Sequence, residues 1–180
     1  SIEYFDAKAG KRDLLYPLLM ESSNQAAETI ASAHNRTTFI KWMNQEASFL
    51  NMKQTTFADP SGLSADNRSS ANDLLTLLQR IQKKAPIIFE ISRTPEKTIV
   101  AGTTGTANER DLRNINLFAH DPRFIGGKTG YTGEAREVMV AIFRLPIQGG
   151  NHNLAFILLG SEDRAKDMGA LIWWAQRATK

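Results

Sequence analysis

The sequence predicts an α/β domain: an antiparallel sheet flanked by helices on both faces. Two runs near the C-terminus carry this reading, Val-Met-Val-Ala-Ile-Phe (138–143) and Leu-Ala-Phe-Ile-Leu-Leu (154–159). Each is apolar at every position rather than at alternate ones, as in strands buried on both faces. The turn between them, 146–153, is short enough to make an antiparallel hairpin, and a sheet buried on both faces needs helices on both. A third observation supplies them, since several amphipathic helical stretches precede the hairpin and one follows it. The 180 residues, 42% hydrophobic and 23% charged, suit a single domain with a real core, spanning 1–180.

Taken in order, 13–33 reads as helical with an interruption. Leu14, Leu15, Leu18 and Leu19 form a stripe at helical spacing, then Ser22, Ser23 and Asn24 break it before a second helix from Gln25 to about Ser32. Alone, Ser22 to Asn24 read as a helix N-cap. Thr37 to Leu50 is an amphipathic helix with Phe39, Ile40, Met43, Ala47 and Leu50 on one side. The segment 51–68 is a loop rich in turn chemistry, including Asp59-Pro-Ser-Gly62. Ser70 caps a helix over 71–84, with Asp73 placed to meet its dipole and Lys83 and Lys84 closing it before Pro86. Residues 87–92 fit helix or strand, 98–101 a short strand, and 102–108 a Gly/Thr loop. The polar stretch 111–118 fits a loop or short helix. Strands follow at 125–131, 138–144 and 154–160, then a helix over 164–178 that buries Met168, Leu171, Ile172 and Trp174.

The composition excludes several function classes. Net charge is +3, with no Lys/Arg run longer than a pair, which points away from nucleic acid. The absence of cysteine removes disulfides and thiolate metal sites. His34, His120 and His152 have no metal-ligand spacing. No apolar run approaches the ~20 residues of a membrane span. The chain starts at Ser1, so a missing signal peptide says little about location.

The stretch Phe124-Ile-Gly-Gly-Lys-Thr-Gly-Tyr-Thr132 concentrates the chemistry. Lys128 offers a charge, Thr129 a hydroxyl, and Gly130 lets a ligand backbone approach, a combination suited to a carboxylate. A phosphate-binding loop is ruled out on residues. Its first glycine would fall at Pro122, and the segment after Thr129 leads into a strand rather than a helix. As a lone tripeptide, Lys-Thr-Gly would read as an ordinary turn.

The order of motifs is more specific. Asp13-Leu-Leu-Tyr-Pro-Leu-Leu19, Ser22-Ser-Asn-Gln-Ala-Ala27, Phe57-Ala-Asp-Pro-Ser-Gly-Leu63, Ser69-Ser-Ala-Asn-Asp-Leu74 and Gly127-Lys-Thr-Gly-Tyr-Thr132 follow one another. In this order they resemble the serine-type D-alanyl-D-alanine carboxypeptidases, the low-molecular-mass penicillin-binding proteins, from about Asp13 to Trp174. The resemblance implies the fold of the penicillin-binding proteins and serine β-lactamases. It also implies hydrolysis of the terminal D-alanine of peptidoglycan stem peptides through an acyl-enzyme, inhibition by β-lactams, no metal or organic cofactor, no nucleic-acid partner, and a place in the cell envelope outside the cytoplasmic membrane. By the same resemblance Ser22 relays protons and Asn24 hydrogen-bonds the substrate amide. Lys128 sets a positive field, Thr129 binds the terminal carboxylate, Gly130 completes the motif, and the Tyr131 backbone N–H is an oxyanion donor.

The family's first motif, Ser-x-x-Lys, is absent from these 180 residues, because no lysine has a serine three positions before it. Thr38-x-x-Lys41 comes nearest but follows Ser22, whereas the family's nucleophile comes first. A serine needs a neighbouring base to attack, so the chain carries a binding wall without that pair and is expected to be inactive alone. The expectation is a catalytic domain lacking its N-terminal strands and nucleophile helix, with an apolar sheet edge and helix faces open to the missing part or to self-association. The alternatives are a peptide- or penicillin-binding module without turnover and a serine β-lactamase, for which no deacylating carboxylate can be placed.

Overall fold

The structure is a computed structural model that describes residues 13–101 and 108–178. The segment 102–107, expected as a loop, lies outside the described residues. Helices α1 (Leu15–Met20), α2 (Asn24–Ser32), α3 (Arg36–Phe49), α4 (Ala71–Lys84) and α5 (Ile87–Ser92) come first. Strands β1 (Glu96–Ala101) and β2 (Asn108–Arg113) form an antiparallel pair. A 3-10 turn, Leu117–His120, leads to β3 (Phe124–Thr132), β4 (Arg136–Ile147), β5 (Gly150–Ser161) and the closing helix α6 (Arg164–Arg177).

Strands β3, β4 and β5 lie side by side in chain order, all antiparallel. Their two faces are buried against different helices, as the unbroken apolar runs require. On one face Phe124, Met139, Phe143 and Phe156 pack with Met168 and Ile172 of α6. On the other, Ile142 joins Leu78 of α4 and Phe89 of α5. A separate cluster of Met20, Ile91, Ile99 and Leu112 ties α1 and α5 to the β1–β2 pair.

Most sequence-derived elements hold within a few residues, and the exceptions have physical causes. The stretch read as loop or short helix at 111–118 begins in β2, a strand of mostly charged residues in which Leu112 is fully buried. The ladder to β1 fixes it, not its apolar pattern. The hairpin is tighter than the expected 146–153 turn: β4 and β5 pair out to Ile147 and Gly150, leaving Gln148 and Gly149 at positive φ. Pro146 lies past the last β3 partner of β4, Phe143, where a missing N–H breaks no ladder on that side. Strand β5 is less buried than its run implies, with Leu159 47% exposed; among the described residues it pairs with β4 alone. Trp174 does not face the core. Helix α6 buries Met168, Ile172 and Ala175, a helical i, i+4, i+7 series that turns Trp174 outward, 62% exposed. Asp73 keeps its place in the first turn of α4, but its carboxylate accepts the Gln54 N–H and Thr55 hydroxyl, each at 2.8 Å, tying the 51–68 loop to α4.

Strand β3 is held close on both sides, and its glycines are the reason. A Cβ on Gly126 would lie 2.7 Å from the Phe89 Cβ, and one on Gly127 would collide with the Val140 carbonyl oxygen. The Gly127 N–H donates to Ser92 Oγ at 3.1 Å, so α5 also pins the strand. Gly127→Ala is expected to push β3 away from β4 and to destabilise the chain by about 1–3 kcal/mol, measured as a lower urea midpoint.

Candidate active site

The junction between α1 and α2 separates two jobs that the sequence left merged. Ser23 is the N-cap, its hydroxyl accepting the Ala26 N–H at 3.2 Å. Ser22 is therefore not needed for capping. It sits at φ +57°, a left-handed conformation that side chains disfavour. In that conformation its hydroxyl meets Lys128 on β3, with Ser22 Oγ and Lys128 Nζ 2.6 Å apart across 106 positions of sequence. Lys128 also donates to the Thr129 carbonyl at 2.5 Å.

Ser22, Asn24, Lys128, Thr129, Gly130 and Tyr131, the six residues singled out in the sequence, all line one cleft of about 440 Å³. Thr129 is buried and Tyr131 is 68% exposed. A Cβ on Gly130 would come within 2.9 Å of a Val138 methyl, so that glycine also serves β3–β4 packing.

The facing wall comes from Ser61, Gly62 and Leu63, and one carboxylate shapes it. Asp59 accepts the N–H groups of Ser61, Gly62 and Ser64 at 2.6, 2.6 and 2.5 Å, the Ser61 hydroxyl at 2.8 Å and the Asn67 amide at 2.9 Å. Burial alone would push this carboxyl upward, but the donors from Ser64, Ser61, Gly62 and Asn67 outweigh it and hold it well below the usual carboxylate range.

Sequence reasoning missed Arg164, which lines the same cleft. Its guanidinium lies 3.1 Å from Glu137 and donates to the Gly130 carbonyl at 3.3 Å, while Glu137 also accepts the Arg164 backbone N–H at 2.7 Å. A signal existed: α6 opens on a cation, where the helix dipole favours an anion. Glu137 offsets that conflict. Burial, and then the charge of Arg164, lower the Lys128 pKa from 10.5 to about 8. The cleft is thus a partly desolvated site with two cations, hydroxyls on Ser22 and Thr129, and an exposed amide on Asn24. Such a site is electrostatically complementary to a carboxylate. Among the described residues no group of three or more His, Asp or Glu is placed to hold a metal ion, and no helix is long and apolar enough to cross a membrane.

Comparison with known proteins identifies the lineage of this cleft. A family model described as D-alanyl-D-alanine carboxypeptidase matches residues 4–159. The chain belongs to that family. A D-alanyl-D-alanine endopeptidase of Pseudomonas aeruginosa is 35% identical over 140 residues, covering 74% of this chain and 44% of the relative. D-alanyl-D-alanine carboxypeptidase DacB2 of Mycobacterium tuberculosis is 28% identical over 172 residues, covering 93% of this chain and 55% of the relative. The chain thus spans about half the length of these two curated relatives. Among solved structures, penicillin-binding protein D2 of Listeria monocytogenes in its cefotaxime-bound form is 29% identical, with a TM-score of 0.74 over 96% of this chain and 70% of that one. The fold is therefore that of the penicillin-binding proteins, and the D-alanyl-D-alanine carboxypeptidase model spans the Ser22 junction, the Asp59 loop and β3 alike.

Proposed function

We propose that the cleft binds the D-Ala-D-Ala end of a peptidoglycan stem peptide, and that the protein containing this chain is a serine-type D-Ala-D-Ala carboxypeptidase of the cell envelope, open to β-lactam inhibition. The observation that carries this reading is the Lys128–Ser22 contact at 2.6 Å, which joins the family's second and third motifs in one cleft. Thr129, with Arg164 near it, receives the terminal carboxylate. Lys128 supplies the positive field, and Asn24 holds the penultimate amide. The Tyr131 N–H, on the β3 strand, is aimed at the developing oxyanion. One such donor contributes about 3 kcal/mol in the transition state. Ser22 passes protons between the leaving amine and an attacking serine that comes from a Ser-x-x-Lys outside these residues.

A second reading has specific support. Relatives from Pseudomonas aeruginosa and Escherichia coli, at 35% and 34% identity, are named D-alanyl-D-alanine endopeptidases, which favours an internal D-alanyl bond as substrate. The full-length protein separates the two when incubated with a stem pentapeptide and with a cross-linked dimer. The carboxypeptidase reading expects free D-alanine from the pentapeptide. Cleavage of the dimer alone would replace it with the endopeptidase reading, and cleavage of neither would leave a binding module.

In the same protein, Arg164→Gln is expected to raise KM for the pentapeptide about 10-fold, the effect of losing a partly exposed charge contact, with a smaller change in kcat. Steady-state kinetics at constant ionic strength check it. An unchanged KM would remove Arg164 from the carboxylate site.

A further inference from the structure

We propose that Ser22 and Lys128 form a nucleophilic pair in their own right, so that this chain accepts acyl groups from activated acyl donors such as aryl esters on Ser22 Oγ. This goes beyond the peptidase reading, in which Ser22 only passes protons to a serine from elsewhere. Three features of the geometry carry it.

The first is the Ser22–Lys128 separation of 2.6 Å, a direct hydrogen bond with no intervening group. The second is what surrounds the amine. Lys128 has the Thr129 carbonyl at 2.5 Å as its other partner, and no carboxylate pairs with it among the described residues. A neutral amine has two N–H donors and one lone pair. With the Thr129 carbonyl taking a donor, the lone pair is free to accept the Ser22 O–H. Burial and the Arg164 charge both disfavour the ammonium, so the base form is accessible near neutral pH. This is the activation that a serine needs in order to attack.

The third feature is the backbone. Ser23 does the capping of α2, yet Ser22 is the residue held in the left-handed region. That conformation serves the contact with Lys128 rather than the helix, and strain of this kind concentrates where a side chain must be presented. The N–H groups of Asn24 and Gln25 follow in the first turn of α2, where a helix has no internal acceptors. They form the positive end of a helix that begins two residues after Ser22.

The step balances within the pair. Ser22 Oγ attacks the acyl carbon while its proton passes to Lys128 Nζ. The bond from the acyl carbon to the aryl oxygen then breaks, and the aryl oxide leaves. The products are an ester on Ser22, an ammonium on Lys128 and the aryl oxide. Water in the open cleft later attacks the ester carbon and loses a proton to solvent, the bond to Ser22 Oγ breaks as Lys128 returns its proton to that oxygen, and the carboxylic acid leaves.

The test uses the 180-residue chain and p-nitrophenyl acetate, with acetylation read by intact mass and located by peptide mapping. The expected result is an acetyl ester on Ser22 whose rate of formation rises with pH through about 8. Labelling of Ser22 should fall about 100-fold in Lys128→Met, the loss of a positioned general base. Ser22→Gly should show none at this position, and because glycine tolerates positive φ this variant keeps the fold, checked by its melting curve. No Ser22 ester in the folded chain, or equal Ser22 labelling in Lys128→Met, would overturn the proposal. A parallel titration with a D-Ala-D-Ala peptide separates this from the peptidase reading. Peptide binding without a Ser22 ester sinks only the nucleophilic pair, and a Ser22 ester without peptide binding sinks only the peptidase site.

Discussion

Lys128→Met is expected to give a chain that is more stable at neutral pH and unable to hold a peptide carboxylate. Lys128 titrates near 10.5 in the unfolded chain and near 8 in the folded one, because burial and Arg164 disfavour its charge. Between those values the unfolded chain binds more protons, so stability rises as pH climbs from about 8 to 10.5 and is lost as pH falls back through 8. Below pH 8 the charging cost is complete, on the order of 3 kcal/mol from the separation of the two values. Methionine keeps the stem and removes the charge. It also forfeits the hydrogen bonds to Ser22 and the Thr129 carbonyl, each contributing ~1 kcal/mol. The net expectation is a gain of about 1 kcal/mol at pH 7 and a stability curve that no longer climbs between pH 8 and 10.5. Urea unfolding across that range measures both. Peptide affinity should fall at least ~100-fold, because the cation that remains in the cleft, Arg164, is already paired with Glu137 and a methionine offers a carboxylate neither charge nor donor. A variant that is both less stable at pH 7 and still binds peptide would refute the account of Lys128.

Asp59→Ala should have the largest effect on stability. Removing the carboxylate leaves three backbone N–H groups, a hydroxyl and an amide without their acceptor, around a residue that is 7% exposed. Stripping one partner from a buried charged network costs about 3–5 kcal/mol. The loop would lose the geometry that sets Ser61, Gly62 and Leu63 against β3, so binding should weaken along with stability. Asp59→Asn is the informative companion. It keeps the size and one acceptor oxygen but must point an NH₂ at donors already in place, and it should recover less than half of the lost stability. Full recovery would show that shape rather than the carboxylate organises the loop. Because Asp59 titrates far below the ordinary carboxylate range, its contribution is fully present above that range and is lost only as pH falls through the depressed folded value.

How much of this was legible in the sequence depended on where the stabilising contacts lie. Strands β4 and β5 were readable because runs apolar at every position have few other uses. Helix α4 was readable from Ser70 to Lys84, since cap, dipole and stop signals all agree. Strand β2 was not readable, because Asn-Glu-Arg-Asp-Leu-Arg has no strand pattern of its own and is specified by pairing with β1. At the site, all six expected residues share one cleft, but the division of labour between Ser22 and Ser23 was hidden. Two adjacent serines are equivalent in composition, and only backbone geometry shows which one caps α2 and which one reaches Lys128. Arg164 was hidden for a different reason: it is 34 positions from Gly130, and no local rule links a helix's first residue to a distant strand. Trp174 shows the same limit in reverse. An apolar residue on an amphipathic helix was assigned to the core, although the period of α6 turns it to solvent.

Calorimetric titration tests most directly whether this cleft recognises a peptide carboxylate through Lys128. The 180-residue chain should be titrated with an acetylated peptide ending in D-Ala-D-Ala, with the same peptide as its C-terminal amide, and with the acid against Lys128→Ala. Measurable binding of the acid, binding at least ~10-fold weaker for the amide, and loss of binding in the variant are expected. Equal affinity for acid and amide, or undiminished binding by Lys128→Ala, would contradict recognition through Lys128.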